Sequence, residues 1–171
     1  MKTTPSVVLR LILWILLIGG GIYFGIKLDL KYFKTFLFSF YFHLFSFFTG
    51  LFLLKLSIHA TSKGGRELAK KGRVGNIPRL ETNRLVQSGI YSCTRHPMLF
   101  GLMIFPLSIA FIMGSVGFII ISLFEMIIIF ILMVVFDEME AKKKFKEYEE
   151  YKKRVPIFPK NKECWKKLFF E

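Results

Sequence analysis

Residues 85–101 read LVQSGIYSCTRHPMLFG, and this stretch decides how the rest of the chain is organised. It places a cation and an imidazole, Arg95 and His96, immediately before Pro97 and a long apolar run. Proline suits the first turn of a helix, because its missing N–H is no loss there and its fixed φ is already helical. The stretch therefore predicts polar chemistry at a membrane edge, where a transmembrane helix begins.

The composition is that of a membrane protein. Of the 171 residues, 53% are hydrophobic and 21 are Phe, and the mean hydropathy is +0.48, above ordinary soluble usage. The chain carries 25 Lys and Arg against 12 Asp and Glu, but these charges fall outside the apolar runs. No basic stretch interleaves with stacking aromatics, so the sequence argues against a nucleic-acid-binding module and favours juxtamembrane charge.

The apolar runs predict an all-α integral membrane bundle of about four transmembrane helices. A hydrocarbon core about 30 Å thick needs roughly 20 helical residues. We expect one membrane domain over residues 1–171, and the first run is long enough to be a retained span rather than a cleaved signal peptide. The predicted segments are spans at 7–26, 36–58, 97–113 and 116–136, a connector at 59–96, and a cytoplasmic amphipathic helix and tail at 137–171.

The basic residues predict the orientation. The connector 59–96 and the tail after residue 137 are both rich in Lys and Arg, which concentrate in cytoplasmic loops. Both segments should therefore face the cytoplasm, with an even number of spans between them. Multi-pass insertion with membrane lipids as partners follows, while the oligomeric state is not determined by the sequence.

Two intramembrane polar residues and two cysteines need separate interpretation. His43 and Glu125 lie inside predicted spans. His43 is either a satisfied bundle histidine or a ligand, and Glu125 either makes a hydrogen bond within the bundle or belongs to a substrate path. Cys93 and Cys164 form no CxxC pair and no Cys/His ligand spacing. We therefore expect free thiols and predict neither a disulfide framework nor a metal site.

The tight uncharged turn at residues 114–117 suggests that two polar pairs meet. If the third and fourth spans form an antiparallel hairpin, Arg95 and His96 return to the same membrane face as Asp137 and Glu138. Such a set suits a ligand with both a carboxylate and a cationic or hydroxyl group. The simpler alternatives are membrane orientation for Arg95, a favourable helix-terminal charge for Asp137, and an i,i+4 pair with Lys142 for Glu138.

Two motifs resemble those of a known superfamily. Residues 85–101 resemble the pattern LVxxGxYxxxRHPxYxG of the membrane-embedded isoprenylcysteine carboxyl methyltransferases and their phospholipid methyltransferase relatives. Those relatives also carry EExxLxxxFGxxYxxY and a trailing proline segment. The corresponding residues here are Asp137, Glu138, Phe145, Tyr148, Tyr151 and residues 154–159, so that the resemblance covers residues 85–159.

The resemblance implies methyl transfer from S-adenosylmethionine to a lipid-borne or prenylated acceptor at the cytoplasmic interface, most simply an isoprenylcysteine carboxylate. It places Arg95, Glu138 and Arg154 in catalytic roles, with the two arginines positioning carboxylates through their planar donor forks. The residues that it implies for the cofactor pocket are Tyr91, His96, Pro97, Gly101, Asp137 and Glu138.

Other acceptors and a non-catalytic role stay open. A carboxylate acceptor needs no strong base, whereas a phospholipid amine would need Glu138 or Asp137 to take a proton; a small thiol is a further acceptor. Leu99 stands where the family has an aromatic residue, which motivates a membrane scaffold or lipid-binding relative. Some sterol reductases share a related membrane core, but this chain shows no independent signal for a nicotinamide dinucleotide.

Overall fold

The computed structural model describes residues 5–77 and 81–171, with side chains described from residue 8 onward. Pro78 and Arg79, which belong to the predicted connector, lie outside the described residues. No strand occurs in the described part, so the all-α prediction is confirmed. The helices are α1 (Pro5–Tyr32), α2 (Lys34–Leu37), α3 (Phe40–Lys71), α4 (Pro97–Met113), α5 (Val116–Lys144), α6 (Tyr148–Arg154) and α7 (Lys162–Phe169), with a 3₁₀ turn at Gly89–Ser92 before α4.

Three of the described helices, α1, α3 and α5, are long and apolar enough to cross a membrane. The remaining predicted span, the third in the chain, is α4, which has the predicted bounds but only 17 residues. At 1.5 Å per residue α4 is about 26 Å long, slightly less than a typical hydrocarbon core. It continues as a helix through Pro106.

Two helices continue past the predicted ends of their spans, while the membrane-crossing bounds themselves stay predictions. The second span was expected to end at residue 58, but α3 continues to Lys71, because Ala60 and Leu68 extend its packed face into the connector. A separate charged helix was expected from Asp137, but α5 runs through this position to Lys144 and a new helix begins only at Tyr148. Helical geometry therefore persists beyond the apolar runs, where packing rather than lipid sustains it.

The chain divides into two compact units. The first comprises Ile58–Leu102 and Phe130–Glu171, and the second comprises residues 5–57 and Met103–Ile129. The prediction of a single membrane domain stays a prediction.

Close helix packing in the second unit depends on glycine. A Cβ on Gly21 of α1 would lie 2.4 Å from the Phe118 ring, and one on Gly50 of α3 would lie 2.6 Å from the Ile112 nitrogen. Small residues let apolar helices approach closely in this way. In the same unit Asp29 Oδ1 accepts from the Gly117 N–H at 2.7 Å, and His43 Nε2 lies 2.8 Å from the Leu37 carbonyl oxygen. Asp29 Oδ2 and Glu125 Oε2 are buried and have no hydrogen-bond partner among the described residues. The contact at His43 supports its interpretation as a satisfied bundle residue.

The first unit contains a disulfide between Cys93 and Cys164, with the two Cα atoms 5.5 Å apart. The expectation of free thiols is therefore wrong. The sequence hid this contact because the tail folds back: Cys164 and the fully buried Leu168 of α7 pack with Ala60, Ile90 and Phe100. Trp165 of α7 packs edge-on against the Phe100 ring, with the two ring centroids 5.5 Å apart.

Candidate functional site

The segment that leads into α4 is buried and held by the proline-rich stretch after α6. Thr94, Arg95 and His96 are each at most 9% exposed. The Arg95 N–H donates to the Pro156 carbonyl at 3.1 Å, and the Thr94 hydroxyl donates to the carbonyl of Ile157. The trailing prolines that form part of the family pattern thus position the backbone of the motif.

An ion-pair cluster joins this segment to α5. Arg95 Nη1 lies 2.7 Å from Glu138 Oε1, with side-chain exposures of 6% and 12%. His96 Nδ1 lies 3.6 Å from Asp137 Oδ2, and Lys152 Nζ lies 2.5 Å from Glu138 Oε2. The prediction that the basic and acidic pairs meet is therefore confirmed.

The local alternative for Glu138 is wrong. Its carboxylate contacts Arg95 and Lys152, whereas Lys142 pairs with Glu149 at 2.7 Å. The physical reason is burial. Arg95 is buried, so leaving its charge unpaired would cost much free energy, whereas Lys142 is exposed and its pairing with Glu149 instead of Glu138 changes the free energy little.

Three tyrosines surround the cluster with neutral phenols. Burial raises the pKa of Tyr148 to about 12, and it also raises the pKa values of Tyr91 and Tyr151 above their ordinary value. The Tyr151 hydroxyl donates to the Tyr91 carbonyl at 2.7 Å and so ties α6 to the motif. These side chains give the site an apolar wall, in which the Tyr91 and Tyr151 hydroxyl groups donate to backbone carbonyls.

The other predicted site residues are placed differently. Pro97 and Gly101 are buried in the first turns of α4 and contribute shape and backbone rather than polar groups. Arg154 is exposed and donates to Gln87 Oε1 at 2.7 Å, and no contact joins it to Arg95 or Glu138. Its catalytic role stays a prediction. Leu99, which replaces the family aromatic, is buried at 3% exposure.

Sequence reasoning missed Lys152 and gave Tyr148 and Tyr151 no place in the site. Lys152 is separated from Glu138 by a helix end and a turn, so no i,i+4 rule could pair them. The tyrosines did carry a signal, since Tyr148 and Tyr151 repeat at helical spacing and both are buried in α6. Among the described residues, no group of three His, Cys, Asp or Glu side chains is arranged for a metal ion.

Comparison with known proteins identifies the chain at the level of a family. The model of the phospholipid methyltransferase family matches residues 45–148, more than half of the chain. No curated protein and no solved structure matches it. The matched range contains the Arg95–His96 motif, the Asp137–Glu138 pair and the helices that bring them together. The chain therefore belongs to the phospholipid methyltransferase family, a family of membrane methyltransferases.

Proposed function

We propose that the protein is an S-adenosylmethionine-dependent methyltransferase that acts on a lipid-borne acceptor. The observation that carries the proposal is the buried contact between Arg95 and Glu138 at 2.7 Å, which joins the two motifs in a chain of methyltransferase ancestry. Charged groups in such burial persist when they are paired or serve a ligand. The alternative function, a non-catalytic membrane scaffold, is not specifically supported by this contact.

The polar groups of the cluster fit the cofactor. Arg95 Nε and His96 Nε2 are buried and have no hydrogen-bond partner among residues 5–77 and 81–171. Both suit the carboxylate of an amino-acid moiety. Asp137 and Glu138 offer acceptors for an ammonium group and ribose hydroxyls. Tyr91, Pro97 and Gly101 would shape the pocket beside them.

Bound at this site, the cofactor would supply a methyl group on a positively charged sulfur. The protein would then contribute alignment and exclusion of water. Arg95 would hold a carboxylate while Glu138 keeps its guanidinium in place, and the buried tyrosines would keep the surroundings dry. Held between Arg95 and Lys152, Glu138 is better suited to positioning than to taking a proton.

Two acceptor classes fit the family, and they place different demands on the site. An isoprenylcysteine carboxylate is already ionised and needs no base. A phospholipid amine must lose a proton, and Asp137, 3.6 Å from His96 Nδ1 and 28% exposed, is the better candidate base. The family description fits the phospholipid amine as well as the carboxylate. We further propose that the site faces the cytoplasm, on the basis of the basic connector and tail.

The test is calorimetric titration of S-adenosylmethionine into the detergent-purified protein. We expect binding by the wild type that weakens at least tenfold in His96→Ala and Glu138→Ala, since each change removes a buried polar partner. Glu149→Ala, which removes an exposed carboxylate in the same unit, is the matched control. Absence of binding by folded wild type with lipid supplied would sink the proposal.

The acceptor is then identified by transfer of a labelled methyl group. Phosphatidylethanolamine and a prenylated cysteine are offered separately to the wild type and to Asp137→Asn. Activity on the amine that falls with Asp137→Asn would assign an amine acceptor and a base. Activity on the carboxylate that survives Asp137→Asn would assign the esterification reaction.

A further inference from the structure

A basic groove of about 1000 Å³ lies in the first compact unit, between the end of α3, the connector and the junction of α5 with α6. None of Arg95, His96, Asp137 and Glu138 lines it. A single carboxylate, Glu147, is found among its described lining residues. Six cationic side chains line the groove: Lys70, Lys71, Arg73, Arg84, Lys144 and Lys146.

Local structure explains only part of this charge. Lys70, Lys71 and Lys144 lie in the last turns of α3 and α5, where cations favourably face the terminal carbonyl groups. Lys71 also pairs with Glu67 at 2.6 Å. Arg84 and Lys146 are outside any helix, so the helix-end explanation does not reach them.

Four of the six cations, Lys70, Arg84, Lys144 and Lys146, are exposed and form no ion pair among residues 5–77 and 81–171. Like charges gathered round one concave surface repel each other, and the concave walls focus their field on the space between them. A bound anion relieves that repulsion. The groove is therefore complementary to a ligand with concentrated negative charge, such as a phosphate group.

The position of the groove along the helices indicates where that phosphate comes from. Lys144 follows the last apolar residue of the span, Phe136, by eight residues, or about 12 Å along α5. The headgroup layer extends about 5–8 Å beyond each side of the hydrocarbon core. A flexible lysine stem can bring its ammonium back into that layer. The Lys144 ammonium of the groove can therefore reach the level of lipid phosphates.

The lining is also partly apolar. Val74 is 59% exposed, and Leu85 and Phe145 contribute partly buried side chains. A free inorganic anion would gain nothing from contact with this apolar surface. The glycerol and first acyl carbons of a lipid would pack against it favourably. We propose that this basic groove binds the phosphate headgroup of an anionic phospholipid, at a site separate from the one proposed for methyl transfer.

The test uses the detergent-purified full chain in a non-ionic detergent. Short-chain phosphatidylglycerol is titrated calorimetrically, with phosphatidylcholine of the same chain length and glycerol phosphate as the two comparison ligands. We expect phosphatidylglycerol to bind at least tenfold more tightly than either. If glycerol phosphate bound as tightly as phosphatidylglycerol, the groove would be a site for free phosphates and the proposal would be overturned. If phosphatidylcholine bound as tightly, the negative charge of the lipid would not matter and the proposal would also be overturned.

The decisive variant is the triple change Arg84→Gln, Lys144→Gln and Lys146→Gln. Each cation near an anionic lipid surface contributes about fivefold in affinity, so the three changes should weaken phosphatidylglycerol binding on the order of 100-fold. Lys153→Gln, Lys160→Gln and Lys162→Gln remove the same charge from exposed positions outside the groove and should change it little. Equal losses of phosphatidylglycerol affinity in both variants would mean that binding depends on the total surface charge rather than on the groove, and would overturn the proposal.

A single variant guards against misfolding. Lys146→Glu replaces one exposed side chain just after α5 and reverses its charge within the groove. It should weaken phosphatidylglycerol binding at least tenfold while leaving the thermal midpoint of the lipid-free protein unchanged. Unaltered affinity in this variant would also overturn the proposal.

Discussion

At the scale of single residues, Glu138 is the position on which the site depends most. It is 12% exposed and contacts two cations, Arg95 and Lys152, that come from different parts of the chain. Removing one partner of a buried pair leaves the other charge uncompensated, which costs more than the pair itself contributes.

We therefore expect Glu138→Gln to lower the free energy of unfolding by about 3 kcal/mol, because it keeps the size of the side chain and strands the Arg95 charge. The measurement is thermal or denaturant unfolding in detergent without added ligand. Glu149→Gln, which breaks an exposed pair with Lys142, should leave stability unchanged. Similar losses of unfolding free energy in the two variants would show that the Arg95–Glu138 contact stabilises the protein no more than the exposed Lys142–Glu149 pair does.

Because of Tyr148, the stability of the first unit should fall as the pH rises in the alkaline range. Its pKa is raised to about 12 by burial, while the phenol of the unfolded chain releases its proton near the ordinary value of 10. The stabilising contribution is fully present below pH 10 and is lost as pH rises from about 10 to about 12, since the unfolded state then binds fewer protons.

The corresponding experiment compares thermal unfolding of wild type and Tyr148→Phe across this alkaline range. The wild type should lose stability more steeply with rising pH than the variant does. Parallel pH profiles for the two proteins would contradict the assigned burial of the phenol.

At the scale of elements, the tail is a structural clamp on the motif. The N–H of Lys160 donates to the Cys93 carbonyl at 3.3 Å, and Asn161 caps α7 by accepting from the Cys164 N–H at 2.9 Å. The disulfide adds a covalent link between α7 and the residue two positions before Arg95.

Loss of this link should destabilise the protein substantially, because it closes a loop with a sequence separation of 71 residues. The chain-entropy model gives about 4 kcal/mol for a loop of this length. We expect the Cys93→Ser, Cys164→Ser double variant to unfold at a lower denaturant concentration, and a reductant to shift the wild type alone by the same amount. Free thiols that react in the native oxidised protein would contradict the disulfide.

At the scale of the whole molecule, the charge pattern and the disulfide both bear on which side of the membrane the first unit faces. The basic connector and tail favour the cytoplasm, although disulfides are typical of oxidising compartments. Both cysteines are only 7% exposed, so in the folded protein burial slows the attack of soluble thiols on the bond, which becomes accessible on unfolding.

We expect topology reporters inserted in the connector and fused after residue 171 to report the same, cytoplasmic, side. Both positions belong to the first unit and are separated by α4 and α5, so an even number of crossings keeps them together. A third reporter at the turn between α4 and α5 should report the opposite side. Reporters in the connector and at the C-terminus on opposite sides would mean that the 17-residue α4 does not cross.

The sequence by itself determined the helical class, the bounds of α4 and the meeting of Arg95 with Glu138. Apolar runs, a proline at a helix start and a tight turn are local patterns, and local patterns specify helices and hairpins. The order of the two motifs then identified the candidate site, including His96 and Asp137.

Only the tertiary structure decided how that site is held. The extension of α3 to Lys71 depends on packing rather than on hydropathy. The Cys93–Cys164 bond, the contact of Lys152 with Glu138 and the bond of Arg154 with Gln87 join residues far apart in the chain. No periodicity encodes such partners, because they are chosen when buried charges and apolar faces compete for the few groups within reach.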